Sequence, residues 1–242
     1  MNIFNRRPSF RIDSRQTLEE AGLKFGILPF FSNPVKGLSV AEMTPPGLLF
    51  GGNIDEGCWE WKGPVIREKS LAYGKFFRRK AGFVSLELLP DFINYRRTVY
   101  PIIPDSTEAM LLDIIRENDS MTSTELKGGI FGERKRNRQW YDLPDNEDLI
   151  PLSGKRKSLE APLQRLQMGG WLLISDFEYK ITKRGERYGW GVARYSTPEL
   201  NFGDNLRKLE DVDPKKSLTR LTDYVKRVWP TASRKELMLL LK

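Results

Sequence analysis

The chain has 242 residues, of which 39% are hydrophobic and 30% charged, so it carries enough apolar mass for a globular core, and disorder is excluded as its default state. Histidine is absent and Cys58 is the single cysteine, which excludes Ser-His-Asp and Cys-His catalysis, zinc sites that use histidine or only thiolates, and an internal disulfide. We therefore expect no cofactor and no metal, and any catalysis must rest on carboxylates, tyrosine or lysine.

The net charge of +8 and the pI near 9.5 are compatible with a polyanionic partner, provided that the basic residues cluster. The first residues, MNIFNRRPSFR, contain arginines but no apolar segment of the secretory type. The most apolar stretches, 25–35 and 43–54, are too short and too interrupted by proline to span a bilayer. The sequence thus predicts a cytoplasmic protein without membrane association.

The first predicted element is a short helix after Arg15, capped by Asp13 or Ser14 and ending near Lys24. The apolar segment GILPFFSNP, residues 26–34, follows, and it is interpreted as a connection buried in the core, with a binding lip as the alternative.

Alternating polarity then predicts three short strands, at 58–62, 72–77 and 81–85, which form a small sheet. Basic residues alternate with aromatic ones here, which indicates either a nucleic-acid surface or a solvated face over an aromatic core. A helix is expected from a Ser85 cap to Arg96 and Arg97, with Pro90 tolerated in its first turn.

The segment VYPIIPDS, with Pro101 and Pro104, is the predicted domain boundary, so that residues 1–104 form an N-terminal α+β domain. A helix from Thr107 to Asn118 follows it, capped by Ser106 or Asp105. A second, short helix opens at Leu126 and is expected to end at Gly128 and Gly129.

A third helix is predicted from the spacing of Leu159, Leu163 and Leu166, and Gly169-Gly170 ends it. Strands at 171–174, 177–182 and 188–195, with a turn at 183–186, complete a basic-tipped hairpin. Helices followed by such a hairpin have the order of a winged helix-turn-helix, predicted here over residues 105–202.

A charged insertion, residues 132–154, interrupts this unit and is too long for its turn. It is predicted to be a surface excursion, either a mobile solvated loop or an arm that contacts DNA phosphates through Lys135, Arg136 and Arg138.

Residues 203–242 are predicted to form a helical hairpin, after a helical turn at PELNF. One helix runs from a Ser217 cap to Val228 and stops at Trp229-Pro230, and Ser233 caps the last one. The fold class is thus α+β, with a winged helix-turn-helix, small antiparallel sheets and a helical C-terminal hairpin.

Several stretches, in the same order along the chain, resemble the family of bacterial proteins related to the DNA glycosylase AlkZ. They are GILP at 26–29, AYGKFFRRKAGFVSLELLPDF at 72–92, STEAMLLDII at 106–115, SLEAPLQRLQMGGWLLIS at 158–175, GERYGWGVARYSTPE at 185–199 and the terminal PTASRKELMLLL. The resemblance implies winged-helix folds around a concave DNA-binding surface.

The resemblance also implies a catalytic Gln-x-Asp or Gln-x-Gln segment just after an early helix. The matching residues here, Leu28 to Ser32, contain neither glutamine nor carboxylate. Because breaking an N-glycosidic bond requires a polar or anionic partner for the sugar cation, glycosylase activity by that route is not expected.

The leading hypothesis is a non-catalytic or weakly catalytic protein that binds double-stranded DNA with low sequence specificity. A protein partner is a further candidate. Most of the contacting residues would touch phosphates, while Gln164 and Gln167 could contact a base edge. The alternative is a purely structural role, in which Gln167 caps the helix end and Arg165 pairs with a nearby acid. Besides the three residues of the insertion, the predicted contact residues are Lys155, Arg156, Lys157, Gln164, Arg165, Lys180, Lys183, Arg184 and Arg187.

Two alternatives stay open. One is a DNA glycosylase with a displaced site, for which the candidate acids are Asp55, Glu56, Glu60 and Asp91. The other is a protein-interaction module, because winged helices also bind proteins.

Overall fold

The computed structural model describes residues 10–51, 56–131, 159–209 and 211–242, and it is an α+β fold with two small antiparallel sheets. The strands are β1 (Ile27–Pro29), β2 (Leu71–Phe77), β3 (Lys80–Ser85), β4 (Met121–Thr122), β5 (Leu173–Ile181) and β6 (Arg187–Ser196). The helices are α1 (Arg15–Phe25), α2 (Val40–Met43), α3 (Cys58–Arg67), α4 (Leu89–Val99), α5 (Thr107–Glu117), α6 (Ser123–Phe131), α7 (Glu160–Met168), α8 (Pro198–Phe202), α9 (Pro214–Val228) and α10 (Arg234–Leu241).

The first predicted helix is confirmed as α1. The Ser14 hydroxyl accepts a hydrogen bond from the Thr17 amide, and the Thr17 hydroxyl accepts one from the Ser14 amide. The two bonds form a capping box. Gly26 follows the helix with φ of +67°, in the left-handed region that favours glycine. The buried connection after it is confirmed for residues 26–30, of which Ile27–Pro29 form β1, whereas Ser32 is exposed.

The first sheet has the strand order β1-β3-β2. The strands predicted at 72–77 and 81–85 are confirmed, but the one predicted at 58–62 is wrong, because these residues begin helix α3. Cys58, Lys62 and Val65 are buried at helical spacing, and Trp59 lies on the helix's half-buried side. A polarity alternation over only five residues is compatible with the period of a strand, two residues, and with that of a helix, 3.6 residues.

Two helix boundaries also differ from the prediction. Helix α4 starts at Leu89 and not after a Ser85 cap, because Ser85 still pairs with Leu71 in the sheet. Helix α6 continues to Phe131 past the two glycines, which weaken a helix interior without necessarily ending it.

The second sheet has the strand order β4-β6-β5 and packs with α5, α6 and α7 around a core of its own. The predicted third helix and hairpin are confirmed as α7, β5 and β6, and Gly170 after α7 has φ of +68°. The members of this core are Leu111, Leu112, Ile115, Met121, Leu126, Leu159, Leu163, Leu166 and Leu172.

The two predicted terminal helices are confirmed, with one changed boundary. Helix α9 begins at Pro214 after an Asp213 cap, whereas Ser217 is buried inside it. Ser233 caps α10 in a capping box with Glu236. None of the helices in the described ranges combines the length and apolarity that a membrane crossing requires.

A buried arginine connects α4 with α7, α10 and β2. Arg96 is fully buried, and its guanidinium donates to the carbonyl oxygens of Met168, Leu241 and Phe76 at 2.6, 2.7 and 3.0 Å. Met168 and Leu241 are the last residues of α7 and α10, where the negative ends of the helix dipoles lie. Burial lowers the pKa of Arg96 to about 10, and these carbonyls compensate its charge in place of a carboxylate.

Candidate nucleic-acid interface

The hairpin of β5 and β6 carries basic residues at its tip. The Thr182 amide donates to the Glu186 carbonyl at 2.8 Å and the Gly185 amide donates to the Thr182 carbonyl at 3.0 Å, which closes the turn. Lys180, Lys183 and Arg184 are exposed, and within the described residues none of these three side chains forms an ion pair. Their positive charges are therefore available to an anionic partner.

Arg187 starts β6 but lies against helix α3. Its guanidinium carbon is 3.5 Å from the centre of the Tyr179 ring, and its Nη2 is 3.4 Å from Oε2 of Glu60. The Tyr179 hydroxyl donates to the same Glu60 oxygen at 3.0 Å. Burial, together with that hydrogen bond, raises the pKa of Tyr179 to about 12. The predicted phosphate contact of Arg187 would thus compete with an existing carboxylate partner.

Beside this cluster lies an aromatic ledge, formed by Phe31, Phe50, Trp59 and Trp190. The Trp190 side chain is 71% exposed and meets Trp59 edge to face, with ring centres 6.1 Å apart. Trp59 also contacts Phe50 and Phe31 at 5.8 and 6.2 Å. The ledge therefore connects the hairpin with the segment that follows β1.

Glycines on both sides of Trp190 allow this geometry. Gly189 has φ of +73°, in a region where the β5-β6 register shifts. A Cβ at Gly191 would lie 2.9 Å from the Tyr179 ring, so only glycine permits that close approach.

A buried lysine lies behind the ledge. Lys62 Nζ is 4.0 Å from the Trp59 ring centre and 4.4 Å from that of Phe177, and it donates to the Trp59 carbonyl. Burial lowers the pKa of Lys62 to about 8, although the charge of Glu60 opposes that shift. The side chain is only 2% exposed, which prevents direct contact with a large ligand.

Residues 28–32, where the resemblance implies a catalytic segment, are buried up to Phe30, whereas Phe31 is half-buried and Ser32 is exposed. Leu28 and Phe30 are fully buried, and Phe30 packs edge to face on Trp59 and on Tyr73. The Phe30 amide and carbonyl are both used, by Ala81 and Ala41. Leu28 and Phe30 are therefore part of the core, at the position where the resemblance implies a catalytic glutamine and carboxylate.

Helix α7 is placed between α5 and the first sheet. Gln167 is 1% exposed, its Oε1 accepts from the Lys75 amide at 2.9 Å, and its Nε2 donates to the Leu163 carbonyl. The expected contact of Gln167 with a base edge is therefore wrong. Arg165 lies 3.8 Å from Glu108, and Gln164, which is half-buried, donates to Glu160.

The candidate acids differ in their surroundings. Asp91 is 3% exposed and accepts from Ser217 at 2.7 Å and from Arg220 at 3.1 Å, which ties α4 to α9. Glu56 is exposed at the surface. Glu60, by contrast, borders the aromatic ledge. Asp91 thus connects two helices in the interior, whereas Glu60 lies beside Tyr179 and Arg187 next to the ledge.

Several predicted contact residues lie outside the described residues, as do Asp55 and the whole charged insertion, residues 132–154. They are Lys135, Arg136, Arg138, Lys155, Arg156 and Lys157.

Two features of the site were not predicted from the sequence. One is the exposure of Trp190, for which the only local signal is its place between two glycines. The other is the β2-β3 turn, where Arg78 and Arg79 have φ of 51° and 66°, both in the left-handed region.

Comparison with known proteins gives the family. The model of the family described as "AlkZ related" matches residues 12–242. The solved structure of Streptomyces sahachiroi DNA glycosylase AlkZ is similar at 13% identity with a TM-score of 0.45, covering 95% of this chain and 59% of that one. The chain thus spans less than two thirds of that protein's length, and no curated protein matches it. Because the family model extends over nearly the whole chain, the protein belongs to the AlkZ-related family.

Proposed function

We propose that this protein binds double-stranded DNA in the context of DNA repair, as a non-catalytic or weakly catalytic member of its family. The family is named after AlkZ, and the similar solved structure is that of a DNA glycosylase, which supports the repair context. The apolar packing around Phe30, in place of a catalytic pair, supports the weak or absent catalysis.

We propose further that residues 105–202 act as a winged helix. The order α5, β4, α6, α7, β5, β6 supports this assignment, since the hairpin of β5 and β6 follows the three helices and pairs with β4, which lies between the first two. In this assignment the hairpin of β5 and β6 is the wing.

The observation that carries the proposal is the exposed basic tip of the hairpin. Lys180, Lys183 and Arg184 have no carboxylate partner among the described residues, so each can neutralise a phosphate and release a counterion. Base-specific contacts are not required. The Lys75 amide binds Gln167, and the half-buried Gln164 is bonded to Glu160, which favours low sequence specificity.

The test is a fluorescence-anisotropy titration of fully paired, bulged and alkylated duplexes at low and at moderate salt. Removing three cations in K180A/K183A/R184A should weaken duplex binding at least tenfold and reduce the slope of log K against log salt by about 3. The matched control, K215A/K216A/K235A, removes the same charge from exposed residues of α9 and α10 and should change affinity much less. Absence of binding to every duplex at low salt would overturn the proposal.

A second candidate function is a glycosylase with a displaced site at Glu60. Its support is the position of that carboxylate beside the aromatic ledge, where the Tyr179 hydroxyl and Arg187 hold one oxygen. A fixed carboxylate next to aromatic rings is suited to stabilising a sugar cation over a bound base.

A further inference from the structure

Trp190 is unusually exposed for a large aromatic residue. Trp190 is 71% accessible and Phe50 is 53% accessible, and both rings contact half-buried Trp59, so the three form a contiguous aromatic surface. Contiguous apolar patches of this kind mark interaction sites on soluble proteins.

The position of Trp190 is fixed by its neighbours. The indole meets Trp59 at 81° between the ring planes, a favourable edge-to-face arrangement. Gly191 lets the Tyr179 ring approach the strand, and Tyr179 is in turn held by its hydrogen bond to Glu60. A ring held in this way loses little conformational entropy when it binds a flat ligand.

The charges around the ledge indicate the chemistry of that ligand. Trp190 lies on the same hairpin as Lys180, Lys183 and Arg184, three exposed cations that have no ion pair in the described residues. Aromatic side chains beside cations bind nucleic acids by stacking on bases while the cations contact phosphates. A lipid surface or an apolar peptide would not require these cations.

We propose that the aromatic ledge, with Trp190 as its outermost ring, is a stacking platform for an unpaired nucleobase. The bases of a fully paired duplex are already stacked on one another, so the ledge distinguishes DNA with a bulged, mismatched or displaced base from intact duplex. The inference rests on the DNA-binding function proposed above, and it adds the class of DNA that the site prefers.

The test compares one fully paired duplex with the same duplex carrying a two-nucleotide bulge, in anisotropy titrations at one low salt concentration. The wild-type protein should bind the bulged duplex about tenfold more tightly, the order of magnitude expected for one stacked base. W190A should abolish that preference while changing affinity for the paired duplex less than twofold. W190F, which keeps a smaller ring, should retain part of it.

The control variant is I103A, which truncates another exposed hydrophobic residue that is not part of the hairpin or the ledge. It should leave the preference unchanged, and circular dichroism should show that all variants fold. Tryptophan emission should be quenched by the bulged duplex in wild type and less so in W190F.

The outcomes separate the two proposals. Equal binding of paired and bulged duplexes, or a preference that survives in W190A, would overturn the stacking platform and leave DNA binding in place. No binding of either duplex would overturn both. Loss of the preference in W190A, with paired-duplex binding intact, would support both.

Discussion

Nη1 of Arg96 donates a hydrogen bond to the backbone carbonyl of Leu241, 145 positions further along the chain, at 2.7 Å. The same guanidinium reaches α7 and β2, so the end of α10 is held against elements that come from both core clusters. No carboxylate takes part in these three bonds. The charge of Arg96 is therefore stabilised by carbonyl dipoles. Removing this side chain would leave the three carbonyl oxygens without their donor.

We expect Arg96→Met to lower the free energy of unfolding by about 3–5 kcal/mol, because each abandoned buried acceptor costs about 1–3 kcal/mol and the thioether replaces part of the lost packing. Arg96→Lys should also destabilise, since an ammonium cannot match the fixed fork of a guanidinium. Urea denaturation followed by circular dichroism measures both. Arg116→Met, at an exposed ion pair of α5, is the control and should change stability by less than about 1 kcal/mol.

A second prediction concerns the pH dependence of stability and rests on Lys62. Its pKa is lowered to about 8 from the usual 10.5, so between these values the unfolded chain binds more protons than the folded one. The free energy of unfolding should therefore rise with pH in that window, by at most about 1.4 kcal/mol per pH unit from this group.

Lys62→Met supplies the comparison, because it fills the same space between the two rings without a titrating amine. The stability difference, wild type minus variant, should increase between pH 8 and 9.5. A difference that stays flat over this range would show that burial does not perturb Lys62 in the folded protein.

The third prediction concerns the two-residue turn between β2 and β3. Arg78 and Arg79 occupy left-handed conformations, which cost non-glycine residues about 1 kcal/mol or more each, whereas Asn-Gly suits such a turn. The double substitution R78N/R79G should raise the free energy of unfolding by about 1 kcal/mol. K183N, at the other hairpin tip, lacks a positive φ to relieve and should give no such gain in thermal or urea unfolding.

The fourth prediction concerns catalysis. The buried Leu28 and Phe30 cannot stabilise a sugar cation or orient water, and each missing contact of that kind costs on the order of a hundredfold in rate. We expect purified protein to release no base from alkylated or crosslinked DNA above a no-enzyme control, as measured by chromatography of the free base.

Base release that disappears in E60Q, with DNA binding retained, would contradict this prediction and favour the displaced site. D91N is a poor substitute for that test. Asp91 accepts from Ser217 and Arg220 in the interior, so its loss should destabilise the fold whatever the chemistry.

Short-range signals in the sequence predicted much of the fold. The caps at Ser14, Ser106 and Ser233 and the glycine after α7 depend only on residues within a few positions, and all four appear in the structure. The β5-β6 hairpin could also be predicted from the sequence, because its apolar and aromatic residues flank a polar turn. These elements are stabilised locally.

The features that define the candidate site depend on distant partners. Gln167 is buried because its side chain meets the Lys75 amide, 92 positions away. Glu60 faces Tyr179 and Arg187 only because α3 packs against β5, and the alternation that suggested a strand at 58–62 contained no sign of that contact. Tertiary contacts of this kind decide orientation where a local pattern permits two periods.

In the DNA-binding role proposed here, the packing of α7 limits how many of its side chains can contact base edges. A helix whose inner leucines belong to the second core and whose Gln167 is bonded to a strand has few side chains left to distinguish one base pair from another. For the DNA-binding role proposed here, a selection from random oligonucleotides should return no consensus motif. Such a protein would move along the duplex and stay longer where bases are unstacked. Its position on the genome would then depend on local distortion of the DNA and not on the base sequence.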